Sequence, residues 1–373
     1  MFHPRRLLWR CNLPGTPELA SALLSSAPPR IRDASCWSGA SVALASSIWT
    51  LFCCPKGFTG DAGAMQERAI QSWTQLQPRP EIILLGTEEG VARFAQAAGL
   101  RHVGAIQRNE YGTPLASSVF TSGQRAASGS IACYINADIV LLQDFADAID
   151  AITTALPGRR FLALGGRWNL PEGQAWDPED RSWASSLRRR LPRDGWLDDS
   201  IAMDYFVFPK EIDWQIPPFA LGRRYWDSWL PWKARSMRIP VIDVTRAVTA
   251  VHVEHGYDHV AGWKRALAPE VEANRRLLGF WRRYTIEDST DVLIDSILRR
   301  RSGVRRWTVP WFRRFERMTV HYLRDAGIPA LHPVYQGLRK LKHAGRPSRP
   351  GHQDAHGHHQ AADRGDRAVD PPC

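Results

Sequence analysis

The stretch "CYINADIVL", residues 133–141, decides how this chain is read. Apolar side chains run from Ile131 to Ile135, meet Asn136-Ala137-Asp138, and resume at once with Ile139. A short apolar run broken by polar residues reads as a buried strand ending in a turn. A carboxylate at such a place is costly to bury unless it is paired or binds a metal. Asp138, with an amide two residues before it, is therefore the first candidate for chemistry.

Working outward, strand and helix patterns alternate. "SSIWTLFCC" (46–54) predicts a strand, and Met65, Ala69, Ile70, Trp73 and Leu76 fall at helical spacing over about 61–76. "EIILLG" (81–86) is a second strand, "EEGVARFAQAAG" a helix ending at Gly99, and "RHVGAI" a third strand. Thr113-Pro114 resembles a helix N-cap followed by proline, which predicts a helix to about 127. "IACYIN" is the fourth strand and 144–155 a further helix. This alternation implies βαβ units and a mainly parallel sheet with helices on both faces. Beyond 160, "FLALGG", "DYFVF" and "VTAVHV" read as strands, with a Trp-rich helix near 226–238. The expected division is a poorly ordered extension (1–45), a nucleotide-binding half (46–160), a substrate half (161–285), a basic aromatic helical arm (286–343) and a disordered tail (344–373).

Composition narrows the class. The chain has 373 residues and a formal net charge of +11. Residues 299–349 hold 14 Lys/Arg against Glu316 and Asp325, which leaves the rest close to neutral. The basic character thus belongs to one segment, and nucleic acid is not an expected partner. No apolar run of about 18 residues is present, so no membrane-spanning helix is expected. The six cysteines form no CxxC pair and suit a reducing compartment. With no secretory leader pattern, a cytoplasmic protein is expected. P-loop, GxGxxG and GxSxG patterns are missing, which weighs against NTPases, dehydrogenases and hydrolases.

Other residues join Asp138. Asn136 and Asp138 point the same way if the strand continues, and Mg²⁺ and Mn²⁺ favour oxygen ligands shared with substrate phosphates. "VTAVHVEHGYDH" puts His252 and His255 after a strand, where an imidazole can complete such a coordination sphere. The plainer readings are a turn-capping aspartate and ordinary loop histidines. Asp227 in "GRRYWDSWL" sits at a predicted helix start among apolar neighbours, which raise a carboxyl pKa toward a general base's range, and its alternative is a helix cap. Asp204 in "MDYFVF" is the competing base, or else a strand-edge carboxylate. Eight of the 16 tryptophans fall between 168 and 232 and suit either a sugar-stacking wall or a core. "RRWTVPWFRRFERMTVHYL" interleaves arginine with aromatic residues, a pattern for an anionic membrane surface or for a packed basic helix.

The order of "LFCCPKGFTG", "EIILLGTEEG", "RNEYGTPLASSVF", "CYINADIVL", "DYFVF", "GRRYWDSWL" and "AVTAVHVEH" resembles the GT-A nucleotide-sugar glycosyltransferases, of the family-2-like kind, over about residues 46–280. Asn136-Ala137-Asp138 stands where that group has a DxD motif and departs from it at the first position. The resemblance implies an α/β, Rossmann-like GT-A sheet plus a C-terminal helical arm. It implies that Phe52, Pro55, Lys56, Glu88, Asn109, Thr113 and Asn136 contact the donor, with Asp138, His252 and His255 on Mn²⁺ or Mg²⁺. Asp227, or Asp204, becomes the base. The implied partners are a nucleotide-sugar donor and a glycan or lipid-linked acceptor. With the basic arm, a peripheral place at the inner face of the plasma membrane follows as an expectation. A sugar nucleotidyltransferase, and a non-catalytic glycan- or membrane-binding protein on a degenerate transferase fold, are the alternatives.

Overall fold

The apolar runs become strands buried on both faces. A computed structural model describes residues 49–171, 180–254, 268–279 and 281–301. Its first half runs β1 (Trp49–Cys53), α1 (Gly60–Thr74), β2 (Glu81–Leu85), α2 (Val91–Ala97), β3 (Arg101–Val103), α3 (Ala116–Ala126) and β4 (Ile131–Ile135). The second half follows with β5 (Ile139–Leu141), α4 (Asp144–Ala155), β6 (Leu162–Leu164), β7 (Trp168–Leu170), α5 (Trp183–Asp194), β8 (Trp196–Leu197) and β9 (Tyr205–Pro209). It closes with α6 (Trp226–Ser236), β10 (Val241–Asp243), β11 (Ala250–Val253), α7 (Ala268–Leu278), β12 (Asp291–Ile294) and β13 (Ile297–Arg300).

Nine strands form one sheet in the order β13-β12-β10-β6-β9-β4-β1-β2-β3. The β4-β1-β2-β3 block is parallel, as the βαβ alternation predicts, and β6, β10 and β12 are parallel to one another. β9 lies between the two blocks and runs antiparallel to both β4 and β6. Four short strands make a second sheet, β5-β11-β7-β8. This mixed α/β architecture agrees with the expected class.

Period-two alternation sorts the strand side chains between two cores. Trp49, Leu51 and Cys53 of β1, with Ile131, Cys133 and Ile135 of β4, pack with Ile70 and Trp73 of α1 and Phe145 and Ile149 of α4. Phe52 and Tyr134 point the other way, to Val119 and Phe120 of α3 and Trp226 and Trp229 of α6. Both faces are covered, which is why these strands read as unbroken apolar runs. The indole N–H of Trp73 donates to the carbonyl of Ile139 at 2.7 Å, tying α1 to the second sheet.

Three expectations need correction. Phe52 is fully buried, edge-on to Phe120, Tyr134 and Phe208, and so is a core ring with no face toward a donor. Thr113-Pro114 does not open α3: Pro114 and Leu115 bridge to Arg108 and Ala220, and the helix starts at Ala116. Residues 291–300 form a hairpin that extends the sheet edge rather than the beginning of a helical arm, its turn made by Asp295 and Ser296 at φ 50° and 59°. Of the eight tryptophans between 168 and 232, Trp183, Trp214, Trp226 and Trp229 are core residues, which decides for the core reading at these four. Residues 302–343, the greater part of the expected arm, lie outside the described residues. Among the described residues, no helix is long and apolar enough to cross a membrane.

The contact between α3 and β1 is tight enough to test. A Cβ added at Gly123 would overlap the Phe52 ring. Gly123→Ala is therefore expected to lower stability by about 1–3 kcal/mol in chemical denaturation, despite alanine's better helix propensity. A double-mutant cycle with Phe52→Leu should show coupling between the two positions. An additive cycle would contradict this packing.

Candidate functional site

At the carboxyl end of β4 the chain leaves the large sheet and enters the second one. The turn is Asn136-Ala137-Asp138, closed by the Ile139 amide donating to the Asn136 carbonyl at 3.2 Å. The Asn136 amide N–H donates to the carbonyl of Asp204 at 2.9 Å, which fixes the turn against the residue leading into β9. The Asn136 side chain is held at both ends: Nδ2 donates to Asp204 Oδ1 at 2.7 Å, and Oδ1 accepts from the Tyr134 hydroxyl at 2.9 Å.

The second oxygen of Asp204 accepts from Arg167 Nη1 at 2.9 Å. Arg167 follows β6, and its Nη2 meets Asp198 Oδ2 at 3.3 Å while Nε donates to Asn169 Oδ1 at 3.1 Å. Asn169 in turn donates to Asp198 Oδ2 at 2.9 Å. Strand pairing supplies the last member: His252 of β11 lies in register with Ile139 on one side and Asn169 on the other. Its Nε2 stands 3.7 Å from Asp138 Oδ2, too long for a hydrogen bond. Asp138 and His252 thus come together where β5 and β11 lie side by side in the small sheet. His255, the substitute ligand, lies outside the described residues.

The electrostatics are those of one cation among several anions. Burial opposes the charge on Arg167, but Asp204, Asp198 and Asp138 outweigh it and hold the guanidinium pKa above its ordinary value. Burial pushes the Asp204 carboxyl up; Arg167 pulls it back, and the charge of Asp138 pushes it further. A single guanidinium cannot fully satisfy carboxylates that outnumber it.

Asp227 lies beyond this network. Tyr225, before α6, adopts a left-handed φ of 88°, uncommon for a residue with a side chain. Trp226 then packs edge-on to Tyr134 at 5.2 Å between ring centres, and Asp227 follows in the first turn of α6, half-buried. Burial pushes its carboxyl up to about 6, with the Ser228 N–H pulling down and the charge of Asp204 pushing up.

The other expected site residues form separate groups. Pro55 is buried and Lys56 exposed at the end of β1, where the Lys56 amide donates to Gln66 Oε1 at 2.7 Å. Glu88 pairs with Arg108 at 2.9 Å, while its buried Oε2 has no hydrogen-bond partner among the described residues. Burial, with the Glu88 charge next, pushes the neighbouring Cys54 thiol up to about 12. Asn109 and Thr113 are engaged elsewhere: Asn109 donates to Glu270 Oε1 at 2.7 Å, Arg223 donates to Glu270 Oε2 at 2.7 Å and to Thr113 Oγ1 at 3.1 Å. These bonds clamp α7 to the 109–113 loop, so Asn109 and Thr113 are tied into a structural network and not presented to a ligand. Arg167, Asp198, Asn169 and Glu270 were missed in the sequence. For Arg167 a signal existed, a charge directly after the buried strand "FLALGG".

Among the described residues no cluster of three or more His, Cys, Asp or Glu side chains is placed to hold a metal by itself. The Asp138–His252 pair offers one oxygen and one nitrogen donor. Such a pair fits an ion that completes its shell with water and substrate phosphates.

No protein-family model matches the chain, and no curated protein sequence matches it. Among solved structures, it is similar to glucosyl-3-phosphoglycerate synthase from Mycobacterium tuberculosis in complex with phosphoglyceric acid, at 18% identity over 62% of this chain and 79% of that one, with a TM-score of 0.37. The same enzyme in complex with Mn²⁺, uridine diphosphate and phosphoglyceric acid matches at 16% identity over 61% and 78%, TM-score 0.36. A mannosyltransferase from Pyrobaculum calidifontis in complex with GDP-Man and Mn²⁺ matches at 16% identity over 61% and 62%, TM-score 0.35. At that level of superposition no residue's role passes from those proteins to this one.

The raised pKa of Asp227 makes a signed prediction about stability. Between its ordinary value and about 6, the folded chain keeps a proton that the unfolded chain has released. The contribution is therefore full below about pH 4 and lost as pH rises through about 6. Asp227→Asn keeps the acceptor for Ser228 and removes the charge. It should raise stability at pH 7.5 by about 1–2 kcal/mol, the full linkage value being reduced by partial solvent access, and give no gain at pH 4. Thermal melts of both proteins across that range check it.

Proposed function

We propose that the chain is a metal-dependent glycosyltransferase of GT-A type, moving a sugar from a nucleoside-diphosphate sugar to an acceptor hydroxyl. The observation that carries this reading is the convergence of Asp138 and His252 at the carboxyl end of β4. Ligands of α/β sheets bind outside the carboxyl ends of the strands. Asp138 and His252 would hold Mn²⁺ or Mg²⁺, with His255 kept as a further candidate. When bound, such an ion neutralises the charge of the departing diphosphate.

The chain's own residues supply the rest. Asp227, with its carboxyl near 6, is ionised at neutral pH yet basic enough to take a proton from the acceptor hydroxyl as it attacks the anomeric carbon. Asp204 has both oxygens engaged by Asn136 and Arg167, which favours a role in organising the site. Direct attack on the anomeric carbon, with Asp227 as base, gives inversion. Pro55, Lys56 and Glu88, at the ends of β1 and β2, would flank the nucleotide. The partnerless Oε2 of Glu88 suits an N–H of the base. The acceptor in this reading is a glycan or a lipid-linked acceptor, and contact with an anionic membrane surface rests on the arginine- and aromatic-rich stretch within 302–343.

Nucleotide-sugar screening with and without Mn²⁺ tests the reading, because a transferase releases nucleoside diphosphate from a nucleotide sugar, whereas a nucleotidyltransferase releases pyrophosphate only when given a nucleoside triphosphate and a sugar phosphate. Asp138→Asn should abolish the metal-dependent part of nucleotide affinity in calorimetric titrations. Equal wild-type affinity in Mn²⁺ and in EDTA would remove the metal from the scheme. Asp227→Asn should lower turnover about 10²–10⁴-fold and leave nucleotide affinity nearly unchanged. Wild-type turnover should rise with pH through about 6, a limb the variant lacks. If Asp204→Asn shows that signature in its place, the base has been misassigned.

A further inference from the structure

Resting on that reading, we infer that asparagine at position 136 is a requirement of this site, set by Arg167 and Asp204, and that the three residues form a positioning relay that aims Asp138. A two-carboxylate motif at 136 and 138 would be incompatible with it.

The geometry leaves little choice. Asp204 is 6% exposed, and its carboxylate carries no hydrogen to offer. Oδ2 is taken by Arg167 Nη1, so the partner of Oδ1 must be a donor, and the Asn136 Nδ2–H stands there at 2.7 Å. The Tyr134 hydroxyl donates to the other end of the amide, which fixes which end faces which neighbour. The backbone repeats the link, since the Asn136 N–H donates to the Asp204 carbonyl at 2.9 Å. Asp138 lies two residues further along the same turn and inherits its orientation.

Aspartate at 136 would remove the donor that faces Asp204 Oδ1 and set two like charges at hydrogen-bond distance. It would also add a fourth carboxylate to Asp138, Asp198 and Asp204, all of which act on the Arg167 guanidinium. If Asn136 were only a degraded motif residue, restoring the carboxylate would instead strengthen metal binding. The two accounts differ in sign.

The test compares full-length wild type, Asn136→Asp, Asp204→Asn, the double variant Asn136→Asp/Asp204→Asn, and Arg167→Met. Each is titrated calorimetrically with UDP and with GDP, in Mn²⁺ and in EDTA, and melted in parallel. Asn136→Asp should lose about tenfold or more in Mn²⁺-dependent affinity and melt a few degrees lower. The double variant reverses the bond: the amide at 204 donates to the carboxylate at 136, and its carbonyl still accepts from Arg167. It should recover most of both losses. Arg167→Met should reproduce the affinity loss of Asn136→Asp, whereas a lower melting temperature with unchanged Mn²⁺-dependent affinity would remove Arg167 from the relay. Asn136→Asp binding as tightly as wild type or tighter in Mn²⁺, or a double variant no better than additive, overturns the proposal. Wild-type binding indifferent to Mn²⁺ would instead remove the metal reading, and the relay is then decided by melting alone: coupled melting losses support it and additive ones overturn it.

Discussion

The site depends on one guanidinium placed where three elements end. Arg167 leaves β6 and reaches Asp204 before β9, Asp198 after β8, and Asn169 within β7. Without it, Asp204 and Asp198 would face each other and Asp138 with no fixed counter-charge, in a place where burial already disfavours the ionised form of Asp204. With it, the carboxylates are drawn to one point and the large sheet is joined to the small one. β9 is where this matters most. It is antiparallel to β4 and to β6, so its amino end lies beside their carboxyl ends. That reversal brings Asp204 to the mouth of the parallel strands.

Apart from the three-residue β5, the strands and helices up to residue 155 were legible because each obeys one period. β4 reads as "IACYI" between polar breaks, and α4 begins at Asp144 and ends at Ala155 as its pattern implies. What escaped were elements too short to show a period. β7 is three residues and β8 two, and they are held by pairing with each other and with β11. Position within a buried strand also escaped. Phe52 borders Cys53 and Cys54 in the sequence, but alternation turns its ring into the core beneath α3. The hairpin of β12 and β13 was hidden by arginines. Arg299 and Arg300 sit on an edge strand, where charge is tolerated on exposed positions and discourages further pairing.

The candidate chemistry was legible in kind more than in detail. Asp138, Asp204, Asp227 and His252 were singled out as polar groups at strand or helix ends; Asp138 follows β4, Asp204 precedes β9 and Asp227 lies in the first turn of α6, whereas His252 sits inside β11 rather than after it. The bonds that distinguish their roles depend on residues far apart in the chain. Asn136 meets Asp204 across 68 positions, and Asn109 meets Glu270 across 161. No spacing rule reaches that far. Thr113 is instructive, since beside Pro114 it has the look of a helix cap. Its amide instead donates to Asn109 Oδ1 and its hydroxyl accepts from Arg223. A local preference yielded to a buried ionic pair, Arg223 and Glu270, whose remaining hydrogen-bonding capacity had to be met nearby.

The same competition explains why the buried Asp204 and the half-buried Asp227 differ in chemical character. Asp204 is held on both oxygens, so it is an organiser of the site, and a proton taken up there would weaken the bonds to Asn136 and Arg167. Asp227 accepts from backbone N–H groups, that of Ser228 at 2.8 Å among them, and lies in the first turn of a helix, where the dipole favours negative charge. Burial outweighs both and lifts its carboxyl to about 6. Trp226, wedged against Tyr134, Phe206 and Phe120, enforces that burial, and the left-handed Tyr225 turns the chain so that the wedge and the carboxylate occupy consecutive positions. Strain of this kind persists only where surrounding packing over-determines it. The aromatic cluster that Phe52 joins from below is therefore what holds the Asp227 carboxyl well above an aspartate's ordinary range.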